Sequence, residues 1–267
     1  MNTLKGNIAG LIALCAMAGS ANAGETLRLG MTPEPYMPFT QVNTAGEWEG
    51  LEADLSRAVC DKIAPVTCEF KSMAWDGLIP SLTENKVDFI IGAFSVTEKR
   101  RQVVDFSKPY YTEGTVLLGA KADENKIGVT PASDGSGDVI NASDIKGKIV
   151  GVQTSSVQSA YASKYLPDVT IKSYDTADNA VADLTAGRVD YVLGSGLFLS
   201  TFLKSPQGAE YEVKVAAPRN IVLGQGVAYA TRKGDTATLE KIDKALSELE
   251  QDGTLKTLVD KWIFGNK

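Results

Sequence analysis

The chain has 267 residues, of which 43% are hydrophobic and 22% charged, as is ordinary for a globular protein with a hydrophobic core. Its formal charge is −6, and no basic patch is interleaved with aromatic residues, so the composition gives no sign of a nucleic-acid partner. The absence of histidine excludes Ser-His-Asp and Cys-His nucleophile systems. This length predicts one large domain or two lobes.

The first 23 residues have the pattern of a secretory signal peptide. Lys5 gives a positive start, residues 8–18 form an apolar run, and Ala21-Asn22-Ala23 is a small-x-small cleavage signature. We therefore expect cleavage after this signature, with loss of Cys15, and export to the periplasm. No later stretch approaches the ~20 continuous apolar residues of a transmembrane helix.

Loss of Cys15 leaves two cysteines, Cys60 and Cys68. An even pair in an exported chain favours a disulfide. This one would close a small loop between a helix end and the next strand, contributing about 2–3 kcal/mol. Two free thiols or a metal pair remain alternatives at this point, although the lack of histidine and of a second cysteine pair disfavours zinc.

The first half of the exported chain alternates strand and helix patterns. Strands joined by helix-length connections pair in parallel, so this order indicates an α/β sheet. Prolines in the turn that carries Glu34 and Tyr36 exclude a helix there. We predict strands at 26–30, 67–73 and 87–91, and helices at 51–63 and from 78 to about 85.

A second series of the same kind begins at residue 148. It has predicted strands at 149–153, 170–174, 189–193 and 210–216, and helices that end near residues 165, 186 and 203. Before it, residues 121–143 read as a polar surface loop, and we assign no function to its segment 134–138.

Two extended segments, near 116–118 and 224–229, join the two series, and helices at 236–250 and 253–262 follow. The predicted fold is therefore α/β, with two Rossmann-like lobes joined by a two-segment hinge. Lobe 1 is predicted at 24–116 and 226–267, and lobe 2 at 117–225. The cleft between such lobes is a natural ligand site.

The stretch from Val87 to Tyr111 carries the first candidate site residues. The apolar run 87–91 predicts a strand buried on both faces, and it ends in Gly92-Ala93-Phe94-Ser95. Ligands of open α/β sheets lie beyond the carboxyl ends of the strands, and an arginine there can bind a carboxylate bidentately. Charge alone favours Arg100 as part of a solvated helix start, but the rest of the chain favours an anion site.

Six sequence strings, in their order and spacing, make the chain resemble the periplasmic polar amino-acid binding proteins. They are YMPF, GLEADLSRAVCDKI, WDGLIPSL, SVTEKRRQVVDFSKPYY, DLTAGRVDYVL and ALSELEQDGTLKTLVDKW. These are the type 2 solute-binding proteins of ABC importers, and the likeness is greatest to lysine/arginine/ornithine, histidine and opine binders. It covers essentially all of the exported chain.

The resemblance implies a periplasmic binding protein type 2 fold whose lobes close on a polar or cationic amino acid or a derivative such as an opine. It implies a monomer that docks on an inner-membrane ABC permease, with no cofactor, no metal and no enzymatic activity. It also implies a Cys60–Cys68 disulfide, because the spacing matches that of the subgroup.

By the same resemblance, Arg100 binds the ligand α-carboxylate with help from Ser95 and from a helix N-terminus at Ser156. Tyr36 and Trp75 should sandwich the side-chain stem, although packing beside a turn is the more common reason for such aromatics. The complete set of expected ligand-binding residues is Glu34, Tyr36, Trp75, Ala93, Phe94, Ser95, Arg100, Gln153, Ser156, Val157 and Ser195.

Several positions depart from the family pattern. Ser195 stands where the family usually has an aspartate for the α-ammonium, Gly92-Ala93 replace small polar residues, and Val157 replaces a threonine. Two interpretations stay open. The ligand amino group is N-substituted, as in an opine, or another acid such as Glu34 or Asp190 binds it.

An enzyme remains the alternative function, since the fold resembled here also hosts dehydratase-like proteins that act on small carboxylates. Such an enzyme needs a positioned acid or base in the cleft, and Glu34 is the only candidate apparent from the sequence. A receptor sensor domain is a further alternative, which would need a transmembrane segment or a fused signalling module.

Overall fold

The structure is a computed structural model that describes residues 25–265, so the predicted signal peptide lies outside the described residues. Two five-stranded sheets, each packed with helices, form two lobes. The strands are β1 (Thr26–Met31), β2 (Gln41–Val42), β3 (Trp48–Glu49), β4 (Thr67–Ser72), β5 (Phe89–Ile90), β6 (Val104–Phe106), β7 (Thr115–Ala120), β8 (Val129–Pro131), β9 (Asp138–Ile140), β10 (Ile149–Gln153), β11 (Thr170–Tyr174), β12 (Tyr191–Ser195), β13 (Tyr211–Ala216) and β14 (Ala230–Arg232). The α-helices are α1 (Leu51–Lys62), α2 (Leu78–Thr83), α3 (Glu98–Arg101), α4 (Val157–Tyr165), α5 (Ala177–Thr185), α6 (Gly196–Leu203), α7 (Thr236–Gln251) and α8 (Thr254–Trp262). Short 3-10 helices lie at Trp75–Gly77, Ala142–Ile145, Gln207–Glu210 and Ile221–Leu223.

The two sheets share one plan. Lobe 1 has the strand order β4-β1-β5-β14-β6, and lobe 2 has the order β11-β10-β12-β7-β13. In each sheet the first three strands are parallel, and the fourth is antiparallel to both of its neighbours. The chain enters each antiparallel strand after passing between the lobes. This arrangement confirms the predicted two-lobe α/β fold.

Strand β5 is buried on both faces, as its apolar run predicts. Phe89 is fully buried against α1 and α7, and its neighbour Ile90 is fully buried on the opposite face with Leu78 and Leu82 of α2. Because successive side chains of a strand point to opposite faces, a strand between two helical layers needs apolar residues at every position. This packing fixes the carboxyl end of β5, where the candidate site begins.

The two crossings run side by side at the back of the cleft. Val227 forms isolated bridges with both Ser95 and Tyr111. Gly226 has φ 107°, and a Cβ there would lie 2.9 Å from the Tyr111 carbonyl oxygen, so this close approach requires glycine. Residues 116–118, which we predicted as the first crossing, lie inside β7, because the strand that pairs with β12 already begins at Thr115. The exact lobe boundaries stay a prediction.

Other local predictions had mixed outcomes. The Cys60–Cys68 disulfide is present and joins α1 to β4, with the two Cα atoms 5.9 Å apart. The polar segment 121–143 is not entirely a loop, because β8 and β9 form a hairpin within it. Within residues 25–265, no helix is both long and apolar enough to cross a membrane.

Candidate functional site

A cavity lies between the lobes at the carboxyl ends of the central strands. The space outside the protein atoms amounts to about 590 Å³, with the open solvent at its mouth included. Contacts between the lobes lie beside it: Trp75 Nε1 donates to the Thr154 carbonyl at 2.9 Å, and the Tyr36 ring stacks on Phe198 at 4.8 Å. The cavity is lined by Thr32, Glu34, Pro35, Tyr36, Thr40, Trp75, Gly92, Ala93, Ser95, Arg100, Glu113, Gln153, Ser156, Val157, Gln158, Thr176 and Ala177.

Arg100 is held in place at the start of α3. The N-cap Thr97 accepts a hydrogen bond from the Arg100 backbone, which sets the direction of the side chain. Its Nη1 donates to the Ser95 carbonyl at 2.9 Å, and its Nη2 crosses the cleft to the Ser155 carbonyl at 3.1 Å. The Phe94 ring lies 4.0 Å from the guanidinium carbon. These contacts use two of the five guanidinium N–H groups and leave the others for a ligand.

The charge of Arg100 has no counter-ion among residues 25–265. The residue is only 9% exposed, and no carboxylate in the described part of the chain pairs with it. Burial lowers the pKa of Arg100 to about 10, so the side chain still carries its charge near neutral pH. A buried and unpaired charge is costly. An anion bound in the cavity would remove that cost.

The N-terminus of α4 faces the same cavity from lobe 2. The hydroxyl of its N-cap, Ser156, accepts from the Ser159 N–H at 3.0 Å and donates to the Gln153 carbonyl at 2.7 Å. The hydroxyl is thus committed to shaping the loop. The first backbone N–H groups of a helix lack intrahelical partners and carry the positive end of its dipole. Val157 and Gln158 place these groups at the cavity, opposite Arg100.

Two residues beside the cavity have a strained backbone. Ala93 has φ 46° and Ser155 has φ 54°, values that residues other than glycine rarely adopt. The Ala93 N–H donates to the buried Glu52 carboxyl, and the Ser155 carbonyl accepts from Arg100. Such strain is retained where the surrounding contacts impose it, which occurs most often at ligand sites.

Glu113 is a cavity residue that the sequence did not reveal. It lies on the crossing that leads into β7, and its Oε2 accepts a hydrogen bond from Ser195 Oγ. The Leu197 N–H at the start of α6 lies near it and lowers its pKa. Ser195 is the N-cap of α6, where its Oγ accepts from the Phe198 N–H at 3.2 Å.

The environment of Glu113 favours its protonated form when no cation is present. Burial raises the pKa of Glu113 to about 7, and the nearby Glu52 carboxyl adds to the rise, whereas the hydrogen bond from Ser195 and the nearby Leu197 N–H oppose it. Burial likewise raises the pKa of Glu52 to about 7. Within residues 25–265, neither acid has a cationic partner. A ligand ammonium would therefore find an acid without a competing ion pair.

Glu34 provides a second acid in the cavity wall. Its Oε2 is buried and has no hydrogen-bond partner in the part of the chain that the structure describes. Asp190, the other acid that we weighed, lies elsewhere: its Oδ2 accepts from the Ile149 N–H at 2.8 Å, and its Oδ1 pairs with Lys148. Asp190 therefore fixes the start of β10 and does not reach the cavity.

Comparisons with known proteins place the chain in a family. The family model for bacterial extracellular solute-binding proteins, family 3, matches residues 27–266. The chain belongs to this family. The putative ABC transporter arginine-binding protein 2 of Escherichia coli is 32% identical, over 96% of this chain and 97% of that protein. The octopine-binding periplasmic protein of Rhizobium meliloti is 31% identical, over 94% and 95% of the two chains.

A solved structure gives the same result for the fold. A periplasmic binding protein of Salmonella typhimurium, described as having high arginine specificity, superposes with a TM-score of 0.78. The two share 28% sequence identity, and the match covers 90% of this chain and all of that one. The two lobes of this solute-binding protein are thus those of the periplasmic binding proteins.

Nine of the eleven residues expected to bind the ligand line the cavity of this solute-binding protein; the exceptions are Phe94 and Ser195. Phe94 packs beneath the Arg100 guanidinium, and Ser195 lies behind Glu113. Contact of these residues with a ligand stays a prediction. One sequence feature could have indicated Glu113: it lies close to a predicted crossing between the lobes, and such a crossing must pass the back of the cleft.

Proposed function

We propose that the chain is the periplasmic substrate-binding component of an ABC importer and captures a cationic amino acid, or a derivative that keeps its charges, by closing its lobes. Membership of the solute-binding family supports the transport role. The described arginine and octopine binding of its relatives supports the ligand class. The cavity supports a ligand that carries both an anion and a cation.

The buried guanidinium of Arg100 is the observation that carries this proposal. It is fixed by the carbonyl groups of Ser95 and Ser155 and has no carboxylate partner within residues 25–265. A carboxylate between it and the N-terminus of α4 would receive bidentate hydrogen bonds on one side and backbone N–H groups on the other. Every α-amino acid offers such a group.

The cavity wall also has an acidic part. Glu34 and Glu113 both line it without a cationic partner in the described chain, and Tyr36 and Trp75 flank the space with aromatic surface. An acid beside aromatic rings suits a guanidinium or an ammonium on a flexible stem. We propose arginine or lysine as the simplest ligands with this charge pattern.

A substituent on the amino nitrogen also has room. A second opening shares Ser95, Glu113 and Gln158 with the cavity, extends along the crossings and is lined by the exposed Arg219. In an opine, the nitrogen keeps its charge and carries a second carboxylate, which Arg219 could bind. The opine class therefore stays within the proposal.

The remaining parts of the proposal follow from the same family. We propose export through cleavage after Ala23, docking of the closed monomer on an inner-membrane permease, and binding without catalysis. The lobe division at 117–225, and ligand contacts from the expected residues that line the cavity, belong to this proposal. The cross-lobe contacts of Trp75 and Tyr36 support closure, because both need the lobes together.

Calorimetric titration of the exported chain with L-arginine, L-lysine, L-citrulline, agmatine and octopine tests the proposal. We expect tight binding of a ligand with both a carboxylate and a side-chain cation, and weak binding of agmatine and citrulline. Mass spectrometry of the mixture should show the ligand unchanged. Failure of every amino acid and of octopine to bind, or formation of a product, would contradict the proposal.

A further inference from the structure

We infer that Glu113 is the residue that binds the α-amino group of the ligand, and that Ser195 acts on the ligand only by holding Glu113. The inference deepens the proposed function, on which it rests. It identifies a specificity-determining acid that lies on the neighbouring strand connection and not at the end of β12.

The hydrogen bonds of Ser195 exclude it as a direct reader of an ammonium group. A hydroxyl has one proton to donate, and Ser195 donates it to Glu113 Oε2. Its oxygen also accepts from the Phe198 N–H as the N-cap of α6. Ser195 is 1% exposed and lines only a smaller adjoining pocket, whereas Glu113 lines the cavity itself. The acid is therefore the group that a ligand meets.

The strand register explains why Glu113 can reach this place. Ser195 pairs with Thr115 in the antiparallel ladder between β12 and β7, so Glu113 lies two residues before the partner of Ser195. In addition, the Gly196 N–H donates to the Gly114 carbonyl at 2.8 Å. These bonds fasten the crossing to the N-terminus of α6, where the helix dipole and the Leu197 N–H favour a carboxylate.

Glu113 also lies close to the carboxylate end of the cavity. Gln158, on the first turn of α4, donates from its Nε2 to Thr115 Oγ1 at 3.0 Å. Val227 forms bridges with both Ser95 and Tyr111. Ser95 accepts a hydrogen bond from Arg100, and Tyr111 belongs to the crossing that carries Glu113, so both residues flank the same segment. The α-amino nitrogen of an amino acid is two bonds from its carboxylate carbon. The acid nearest the carboxylate site is therefore its natural partner.

Glu34 would then be left for the side-chain cation. It lies on the turn beside Tyr36, in the part of the wall formed before α1, and its Oε2 has no hydrogen-bond partner among the described residues. The opposite assignment, in which Glu113 meets the side chain and Glu34 the α-amino group, makes different predictions for modified ligands. The two can be separated by experiment.

The test compares the exported wild-type chain with Glu113→Gln by calorimetry, using L-arginine, Nα-acetyl-L-arginine and L-citrulline. Acetylation removes the α-amino charge, and citrulline lacks the side-chain charge. We expect Glu113→Gln to weaken arginine binding by about 10- to 100-fold, as for loss of a charge-assisted hydrogen bond. The preference for arginine over its acetyl derivative should shrink, and the preference over citrulline should persist.

A second variant tests the position of the charge. In Glu113→Gln with Ser195→Asp, the acid returns on the adjacent strand, so the preference for a free amino group should recover. Equal arginine affinity of Glu113→Gln and wild type would overturn the inference. So would a Glu113→Gln variant that loses its preference for arginine over citrulline but keeps its preference for arginine over the acetyl derivative.

Thermal unfolding of the free proteins controls for folding, and if Glu113→Gln does not fold, the comparison uses the double variant and Ser195→Ala, which keeps the acid. In Ser195→Ala the preference for the free amino group should persist, and its loss would overturn the inference, because it would show that Ser195 itself binds the ammonium. If the wild-type chain binds no amino acid, the proposed function itself fails.

Discussion

Under the proposed function, the two ends of the cavity hold their charged groups in different ways. At the carboxylate end, Arg100 comes from a helix start directly after a central strand and is fixed by the carbonyls of Ser95 and Ser155. At the amine end, Glu113 comes from a crossing between the lobes and is fixed by a hydrogen bond from Ser195 Oγ. Both groups are held by neutral partners, and within residues 25–265 neither has a counter-ion.

The two ends differ in how far burial shifts the ionisation of the charged group from that in water. Arg100 keeps its charge because its pKa stays at about 10 in spite of burial. Glu113 has a pKa of about 7 and is only partly ionised in the free protein near neutral pH. Arg100 is thus charged before a ligand binds, whereas Glu113 becomes fully ionised only when a ligand cation binds to it.

The largest expected effect is at the carboxylate end. Arg100→Ala should weaken arginine binding by about 100-fold or more, because it removes one partner of a buried charged pair. Arg101→Ala is the matched control, since this neighbouring arginine is exposed and packs over Phe106. Calorimetry should show Arg101→Ala unchanged. Comparable losses in both variants would mean that the site does not use Arg100 as described.

The amine end should show a pH dependence. A ligand ammonium binds ionised Glu113, whose pKa in the free protein is about 7. From pH 6 to pH 8 the ionised fraction rises, so the affinity for arginine should rise by about tenfold. In Glu113→Gln the rise should be largely absent. Titration calorimetry at both pH values measures it, and a flat wild-type profile would contradict the different behaviour of the two ends.

The groups around Glu113 leave the sign of this prediction unchanged. Glu52 also has a pKa of about 7 and gains negative charge over the same range, which further favours a cation. Burial raises the pKa values of Tyr36, Tyr110 and Tyr111, so these rings stay neutral. Arg100 stays charged, with its pKa at about 10. For the free protein the linkage runs the other way: acids with raised pKa values make it less stable as pH rises from about 4.5 to 7.

A smaller effect should come from the contact that joins the lobes. Trp75→Phe keeps an aromatic ring but loses the hydrogen bond from Nε1 to the Thr154 carbonyl. We expect arginine affinity to fall about fivefold, the value of one neutral hydrogen bond, without a change in the pH profile. Trp48→Phe, at a tryptophan packed against Phe70 within lobe 1, is the control. A changed preference for arginine over citrulline or over Nα-acetyl-L-arginine would show that Trp75 acts on the ligand directly.

The smallest effect on binding should follow removal of the disulfide. Cys60→Ser with Cys68→Ser opens a loop with a sequence separation of 8, far from either end of the cavity. The free energy of unfolding should fall by about 2–3 kcal/mol, while arginine affinity stays unchanged. Denaturant unfolding and calorimetry on the same samples measure both. A parallel loss of affinity would show that the other variants also act through general stability.

Most of the fold could be predicted because its pattern is local. The run at 87–91 is apolar at nearly every position, which only a strand covered on both faces requires, and Phe89 and Ile90 indeed lie in opposite layers. The hairpin of β8 and β9 was missed, since strands of three residues in a polar segment leave almost no periodic signal.

The position of Ser95 and Arg100 at the cavity could be predicted, because both follow a central strand and lie in a string that resembles the family. Their contact with a ligand stays a prediction. Glu113 could not be placed in this way. Its position depends on how the chain turns after β6 and on the pairing of β7 with β12, which brings residues about 80 positions apart together. From the sequence, Ser195 in place of an aspartate indicated a loss of charge. Its acidic partner Glu113 lies on the crossing before β7, and the linear sequence does not show that the two residues meet.

The position of Glu113 on the crossing before β7 bears on how this binding site can change during evolution. A chain with acids at both 113 and 195 would hold two carboxyl groups at hydrogen-bond distance, where they share one proton and one net charge. Such a chain keeps a partner for the ligand amine. An acid can therefore be exchanged between β12 and the adjacent crossing through an intermediate that still binds the ligand amine.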